Sequence, residues 1–193
     1  MTQIYDEKGV LHPGTVVTTG GITVTQVKTA EKDGYNATQF GYGERKAKNV
    51  AKPQQGHLKD LPMHRVMREC AVEGEVKRGD TFDVSTFKEG DVVVVSAISK
   101  GKGFQGVVKR HGFHGGPATH GNKDTERHPG SIGGGGGRAG GRVAKGMRMA
   151  GRMGNDRITV KNLRVLHIDA ATNTIILSGA VPGRPGTLVE IRG

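Results

Sequence analysis

One segment of this chain cannot build a core of its own, and that limits every fold the rest can adopt. Residues 100–157 hold 18 of the 33 glycines and 12 of the 29 lysines and arginines, against three acids, Asp124, Glu126 and Asp156. The segment therefore carries a formal charge of +9, out of +11 for the whole chain. Between residues 109 and 157 the sizeable apolar side chains are few and scattered: Phe113, Ile132, Val143, Met147, Met149 and Met153. Fixing one residue's backbone costs about 1–2 kcal/mol, and so little apolar surface cannot offset that cost. Order has to come from outside the chain, and the charge points to a polyanion.

The competing reading of such a run is a solvated basic loop. Flexible linkers, however, are made of Gly with Ser, Gln or Glu, whereas this segment combines Gly with Arg, Lys and His between two patterned regions. Glycine lets a backbone pass close to a phosphate, and Arg and Lys neutralise it. On charge alone the nucleic-acid-facing groups are Lys100, Lys102, Lys109, Arg110, Lys123 and Arg127. Further along the segment they are Arg138, Arg142, Lys145, Arg148, Arg152 and Arg157. His111, His114, His120 and His128 add ring nitrogens that can donate to phosphate. Phe104 and Phe113 are the only aromatic rings there, apart from the histidines, so base stacking on a sheet is not expected. Contacts to phosphates and 2′-hydroxyls of a folded RNA are expected instead.

The whole chain narrows the class. Its 193 residues allow one domain of ordinary size, with an appendage. A pI near 10.0 favours nucleic acid or an anionic membrane as partner. There is no run of 18 apolar residues, no signal peptide and no basic amphipathic helix with aromatic anchors, so no membrane partner is expected. Cys70 is the single cysteine, which excludes an internal disulfide and a thiolate metal cage and suggests a reduced, cytoplasmic chain.

Outside the basic segment the pattern is β. Short runs rich in Val, Ile and Thr, punctuated by Gly and Asp, predict strands over residues 15–19, 22–28 and 35–42. Further strands are expected over 64–72, where Met63, Val66, Met67 and Cys70 would also suit a short helix, and over 81–85, 92–98, 158–169, 174–178 and 188–192, with a loop over 43–60. Many short strands and no long helix indicate a mainly β fold, a small β-barrel. The last 36 residues are too few to fold alone, so residues 1–99 and 158–193 are expected to form one discontinuous barrel domain. Residues 100–157 are then a long irregular Gly/Arg/Lys-rich extension between two barrel strands, and loops that long are usually functional.

Enzyme readings form the alternative class. GKGFQG at residues 101–106 fits G-x-G-x-x-G after a strand, half of a dinucleotide-binding fingerprint. The other half, a helix, is not expected over 107–114, where two valines precede Lys-Arg-His-Gly. The glycine run 133–137 lacks the G-K-[ST] ending of a P-loop. Four histidines within eighteen residues suggest zinc, but no cysteine or carboxylate stands at ligand spacing. Neither a cofactor nor a small-molecule substrate is expected. A metal- or nucleotide-dependent enzyme built on the Gly/His segment is the weaker alternative.

Specific strings then carry a resemblance. GKGFQGVVKRHGFHGGPATHGN at 101–122, HPGSIG at 128–133, KGMRMAGRMGNDRITVKNLRV at 145–165 and GAVPG at 179–183 resemble the bacterial-type large-subunit ribosomal protein L-three family. MTQIYDEKG at 1–9, DGYNATQFGYG at 33–43 and NVAKPQQGH at 49–57 are similar to the same family, so the likeness covers essentially the whole chain. The resemblance implies a translation-protein-like β-barrel whose extension threads into large-subunit ribosomal RNA. It implies a role in nucleating subunit assembly and a tip, residues 145–155, close to the peptidyl-transferase centre. Met149, Gly151, Arg152, Met153, Gly154 and Asn155 fall in that tip, and Lys102, Lys109, Arg110, His120, Asn122, Arg127 and His128 in the stem. Implied partners are that RNA and neighbouring large-subunit proteins, the fourteenth and nineteenth. Two departures stand out: the sequence begins at Met1, where a Gly/Lys-rich lead-in usually precedes Met-Thr-Gln in the family, and Arg152 stands where some bacterial members carry a glutamine methylated on its amide.

Overall fold

The computed structural model describes residues 1–71, 74–133 and 141–193. In chain order the elements begin with β1 (Thr2–Tyr5), β2 (Leu11–Thr18), β3 (Ile22–Lys28), α1 (Ala30–Asp33), β4 (Ala37–Glu44), α2 (Lys52–His57) and β5 (His64–Cys70). They continue with β6 (Thr81–Phe82), β7 (Val92–Ile98), β8 (Phe104–Gln105), α3 (Val107–His111), β9 (Gly151–Arg152), β10 (Arg157–Asp169), β11 (Thr174–Ser178) and β12 (Val189–Arg192). The fold is mainly β, as expected, and the strand pairings described below are antiparallel.

Several local differences from the sequence pattern appear: β1 and α1 fall where no element is expected, β2 begins at Leu11 rather than residue 15, and β4 runs Ala37–Glu44 rather than 35–42. The span 43–60, expected as a loop, contains a 3-10 turn, Ala47–Asn49, and the one-and-a-half-turn helix α2. Pro53 stands at the start of α2, where its missing N–H costs nothing, and Val50 and Leu58 are buried on either side of it. The strand expected over 81–85 shortens to two residues and passes into a 3-10 turn, Val84–Thr86, because Val84 turns into the core at 4% exposure.

Six strands form one sheet in the order β1-β2-β11-β10-β7-β12, and four form another in the order β5-β4-β3-β6. Two compact units contain them: Met1–Val94 with Lys161–Val181 and Arg192–Gly193, and Val95–Val160 with Pro182–Ile191. β7 and β10 each pass from one unit into the other.

In the first unit, alternation in β11 sends Ile175 and Leu177 to full burial, opposite Val17 and Thr15 of β2. Val24, Val93 and Val165 are also buried there. Polar residues fix the second sheet. Gln39 accepts from Thr25 Oγ1 at 2.8 Å, and His57 Nε2 lies 2.8 Å from the same oxygen. Arg78 donates to the carbonyls of Thr25, His57 and Lys59 at 2.9–3.0 Å, so this cation is bound into the framework. Lys28 contacts Glu69 at 2.8 Å and Tyr35 at 2.6 Å; the carboxylate beside it holds its ammonium well above the usual range.

In the second unit Val95, Ala97 and Val107 are buried. Ser96 and Thr159 exchange a 2.8 Å hydroxyl hydrogen bond. Gly183 turns at φ +105, where a Cβ would stand 3.1 Å from the Ile98 carbonyl oxygen.

Candidate nucleic-acid interface

The basic segment leaves β7 and returns to β10 as a paired ribbon. Ser99 N–H donates to the Asp156 carbonyl at 2.9 Å, and Asp156 N–H to Ser99 Oγ at 3.2 Å. Lys102 N–H reaches the Met153 carbonyl at 2.9 Å, and Met153 N–H the Gly103 carbonyl at 3.0 Å. The ladder continues into β8 and β9, with Phe104 opposite Arg152 and Gln105 opposite Gly151. Backbone pairing thus does what apolar burial cannot do here: it satisfies polar groups with little side chain between them.

Gly154 makes the approach possible. Its φ is +75, and a Cβ there would stand 2.2 Å from the Lys100 carbonyl oxygen. Asn155 follows at φ 59, a left-handed conformation that asparagine tolerates better than most residues.

Beyond β8 the chain forms α3, five residues long, where no helix was expected. Tertiary burial decides this, with Val107 at 3% exposure. Gly112 then ends the helix at φ 72, its N–H on the Val108 carbonyl at 3.0 Å. Lys109, Arg110 and His111 occupy the last turn, where the carbonyl end of the helix favours cations. The preceding strand β8 pairs antiparallel with β9, so the element is not the crossover helix of a dinucleotide fold.

The predicted residues differ in what they do. Arg110 Nη1 donates to the Met149 carbonyl at 2.8 Å, and His111 Nε2 lies 3.0 Å from the same oxygen. Both therefore clamp the returning chain at Met149. Arg157 is paired with Glu190. Lys100, Lys102, Lys109, Lys123, Arg127, Arg142, Lys145, Arg148 and Arg152 are exposed, and among the described residues their side chains make no ion pair. Arg138 lies outside the described residues.

A second closure shapes residues 115–128. Gly116 N–H meets the Glu126 carbonyl at 2.8 Å, and Gly115, at φ +78, has no room for a Cβ, which would stand 2.0 Å from that same oxygen. Asn122 bonds the Pro117 carbonyl and Thr125, so this residue shapes the loop. An open hollow there is lined by Ala118, Asn122, Asp124, Glu126, Arg127 and His128. His114, His120 and His128 are exposed. Among the described residues no group of three or more His, Cys, Asp or Glu is close enough to hold a metal ion. Residues 141–150 are exposed throughout, with a turn closed by Met147 N–H on the Ala144 carbonyl at 3.4 Å. Met149 is 37% exposed, while Gly151, Met153 and Gly154 are half-buried on the ribbon. Phe104, which sequence reasoning had set aside, is 77% exposed. No periodicity marks it; only the ribbon register places it beside Arg152.

Comparison with known proteins decides the family. A profile described as ribosomal protein L3 matches residues 69–180. The large ribosomal subunit protein uL3 of Herpetosiphon aurantiacus is 52% identical over 194 residues, covering 99% of this chain and 91% of that protein. The chain belongs to the ribosomal protein L3 family. Its similarity extends to the uL3 proteins of Cutibacterium acnes, 48% identical over 100% of this chain and 87% of that one, and of Chlorobaculum tepidum, 46% identical over 99% and 93%. The L3 profile spans the whole basic segment, so that segment belongs to the family's matched region.

Proposed function

We propose that this L3-family chain is a structural constituent of the large ribosomal subunit, a cytoplasmic ribosomal component, that binds large-subunit ribosomal RNA through residues 100–157. The observation that carries the reading is the paired ribbon with Lys100, Lys102 and Arg152 exposed on it, none of them in an ion pair among the described residues. A chain folded for its own stability would pair or dilute such charge; here it is held outward on a ribbon ready to meet phosphates. Residues 1–99 and 158–193 form the body that anchors the ribbon, and 100–157 enter the RNA. The tip, 145–155, abuts RNA close to the peptidyl-transferase centre and supports it sterically and electrostatically. The protein helps nucleate subunit assembly beside the fourteenth and nineteenth large-subunit proteins. The role is structural rather than catalytic: Asn122, Arg110 and His111 serve backbone carbonyls and loop shape.

The test is direct. The full chain and a variant lacking residues 112–155 are titrated with large-subunit ribosomal RNA. Loss of affinity by about two orders of magnitude or more in the variant is expected. An undiminished affinity would move the RNA site onto the remaining β body. Metal analysis and the 260/280 nm absorbance ratio of the purified protein test the enzyme alternative, which requires a bound metal or nucleotide.

A further inference from the structure

Phe104 stands out against everything described so far. A single exposed apolar side chain is ordinary; this one is 77% exposed on a hydrogen-bonded ribbon in the most basic part of the chain. Directly opposite residues of an antiparallel pair put their side chains on one face, with Cβ atoms about 4.5–5.5 Å apart. Phe104 and Arg152 are such a pair, and Arg152 is also exposed. The ribbon therefore offers a flat aromatic ring and a guanidinium side by side. Lys102 is exposed two residues before the ring.

We infer that Phe104 and Arg152 form a seat for an unpaired nucleobase. The base stacks on the Phe104 ring, and the Arg152 guanidinium meets the phosphate or the edge of the same nucleotide. A polyanion lacking flat faces would use the lysines and leave the ring in water. Among polyanions, one that presents planar apolar faces beside its phosphates is a nucleic acid with a base out of the helix, and aromatic side chains recognise bases in that state. The ribbon is held at both ends, by the Lys102–Met153 and Met153–Gly103 hydrogen bonds and by the Arg110 and His111 clamp on Met149. The backbone that carries the ring is thus fixed before the RNA arrives, and little backbone ordering is left to oppose binding.

The inference rests on the RNA-binding reading, and the experiment separates the two. Full-length wild type and the variants Phe104→Leu, Phe104→Ala and Phe104→Trp are titrated with large-subunit ribosomal RNA and, in parallel, with heparin, a polyanion without bases. The chain contains no tryptophan, so Phe104→Trp gives a single-site fluorophore. Phe104→Leu and Phe104→Ala should bind RNA about 5- to 150-fold more weakly and heparin as wild type does. Phe104→Trp should retain RNA affinity, and its emission should be quenched by RNA and not by heparin. Wild-type RNA affinity in Phe104→Leu, or equal quenching by RNA and heparin, would overturn the seat while leaving RNA binding intact. Failure of the wild-type chain to bind the RNA at all would overturn both. Circular dichroism on each variant shows whether the fold is kept, and Phe104→Trp carries the test if Phe104→Ala does not fold.

Discussion

His64 shows how one side chain can set the acid limit of the fold. It is 8% exposed, its ring presses on Gly41, where a Cβ would stand 2.2 Å from Cδ2, and its Nε2 is buried without a hydrogen-bond partner. Burial pushes its pKa below the ordinary 6.5, because the imidazolium would lose its hydration. Glu44 lies opposite it in the strand register but is exposed, so solvent screens that charge. With the folded pKa below the unfolded one, the unfolded chain takes up the proton first. Stability is then full above about pH 6.5 and falls as the pH drops below it. The thermal midpoint should decline from pH 7.5 to pH 5, and Phe in place of His64 should flatten the decline; an unaltered curve would assign the acid sensitivity to other groups. Adding a methyl at the facing position should also be costly. Gly41→Ala is expected to destabilise by about 1–3 kcal/mol, measurable by urea unfolding. Arg152 is the contrasting residue, exposed on the ribbon. Losing one of twelve basic groups should barely alter RNA affinity through charge. Arg152→Gln should leave subunit yield near normal and shift susceptibility to peptidyl-transferase inhibitors; blocked assembly with unchanged drug response would refute the tip placement.

At the scale of elements, the ribbon and α3 act as one device. Gly154 permits the close approach to Lys100, so Gly154→Ala meets both a left-handed φ and a backbone oxygen. The left-handed conformation alone costs a non-glycine residue about 1–2 kcal/mol, and the contact with the Lys100 carbonyl adds to it. The ladder should open locally, read as faster amide exchange at Lys102 and Met153 with the amides of β11 unaffected. Lys109 and Arg110 are neighbours with different duties. Lys109 is exposed, whereas Arg110 holds the Met149 carbonyl. Lys109→Ala should weaken RNA binding only. Arg110→Ala should also release the chain around Met149, seen as earlier tryptic cleavage at Arg148. Equal proteolysis of the two variants would remove the clamp from the account.

For the whole molecule the governing quantity is charge, +11 overall with +9 in residues 100–157. If about six of those cations meet phosphates, log K should fall with log salt at a slope of roughly −4 to −5. Deleting residues 112–155 should flatten that slope, and an unchanged slope would place the phosphate contacts elsewhere. Among the described residues no helix is long and apolar enough to cross a membrane.

Much of this was legible in the order of residues. Strand periodicity located β3, β7, β10 and β11 to within a residue at either end, because alternating burial is written locally in Val, Ile and Thr. The basic segment was legible for the same reason: charge and glycine content need no fold to be counted. Its L3-family strings named the family. Helices α1, α2 and α3 were missed, since none has an intrinsic helical pattern, and α2 and α3 depend on burying Val50, Leu58 or Val107. Nor could composition divide the cations by task. Arg110 reaches a carbonyl 39 residues away, Arg157 pairs with Glu190 33 residues away, and Arg78 bonds the Thr25 carbonyl 53 residues away. Those partners meet only once the ribbon and sheets have formed. Sequence alone determined where the charge and the strands lie; tertiary structure decided which cations face outward and set Phe104 beside Arg152, because both depend on which distant backbone atoms the fold brings within hydrogen-bonding reach.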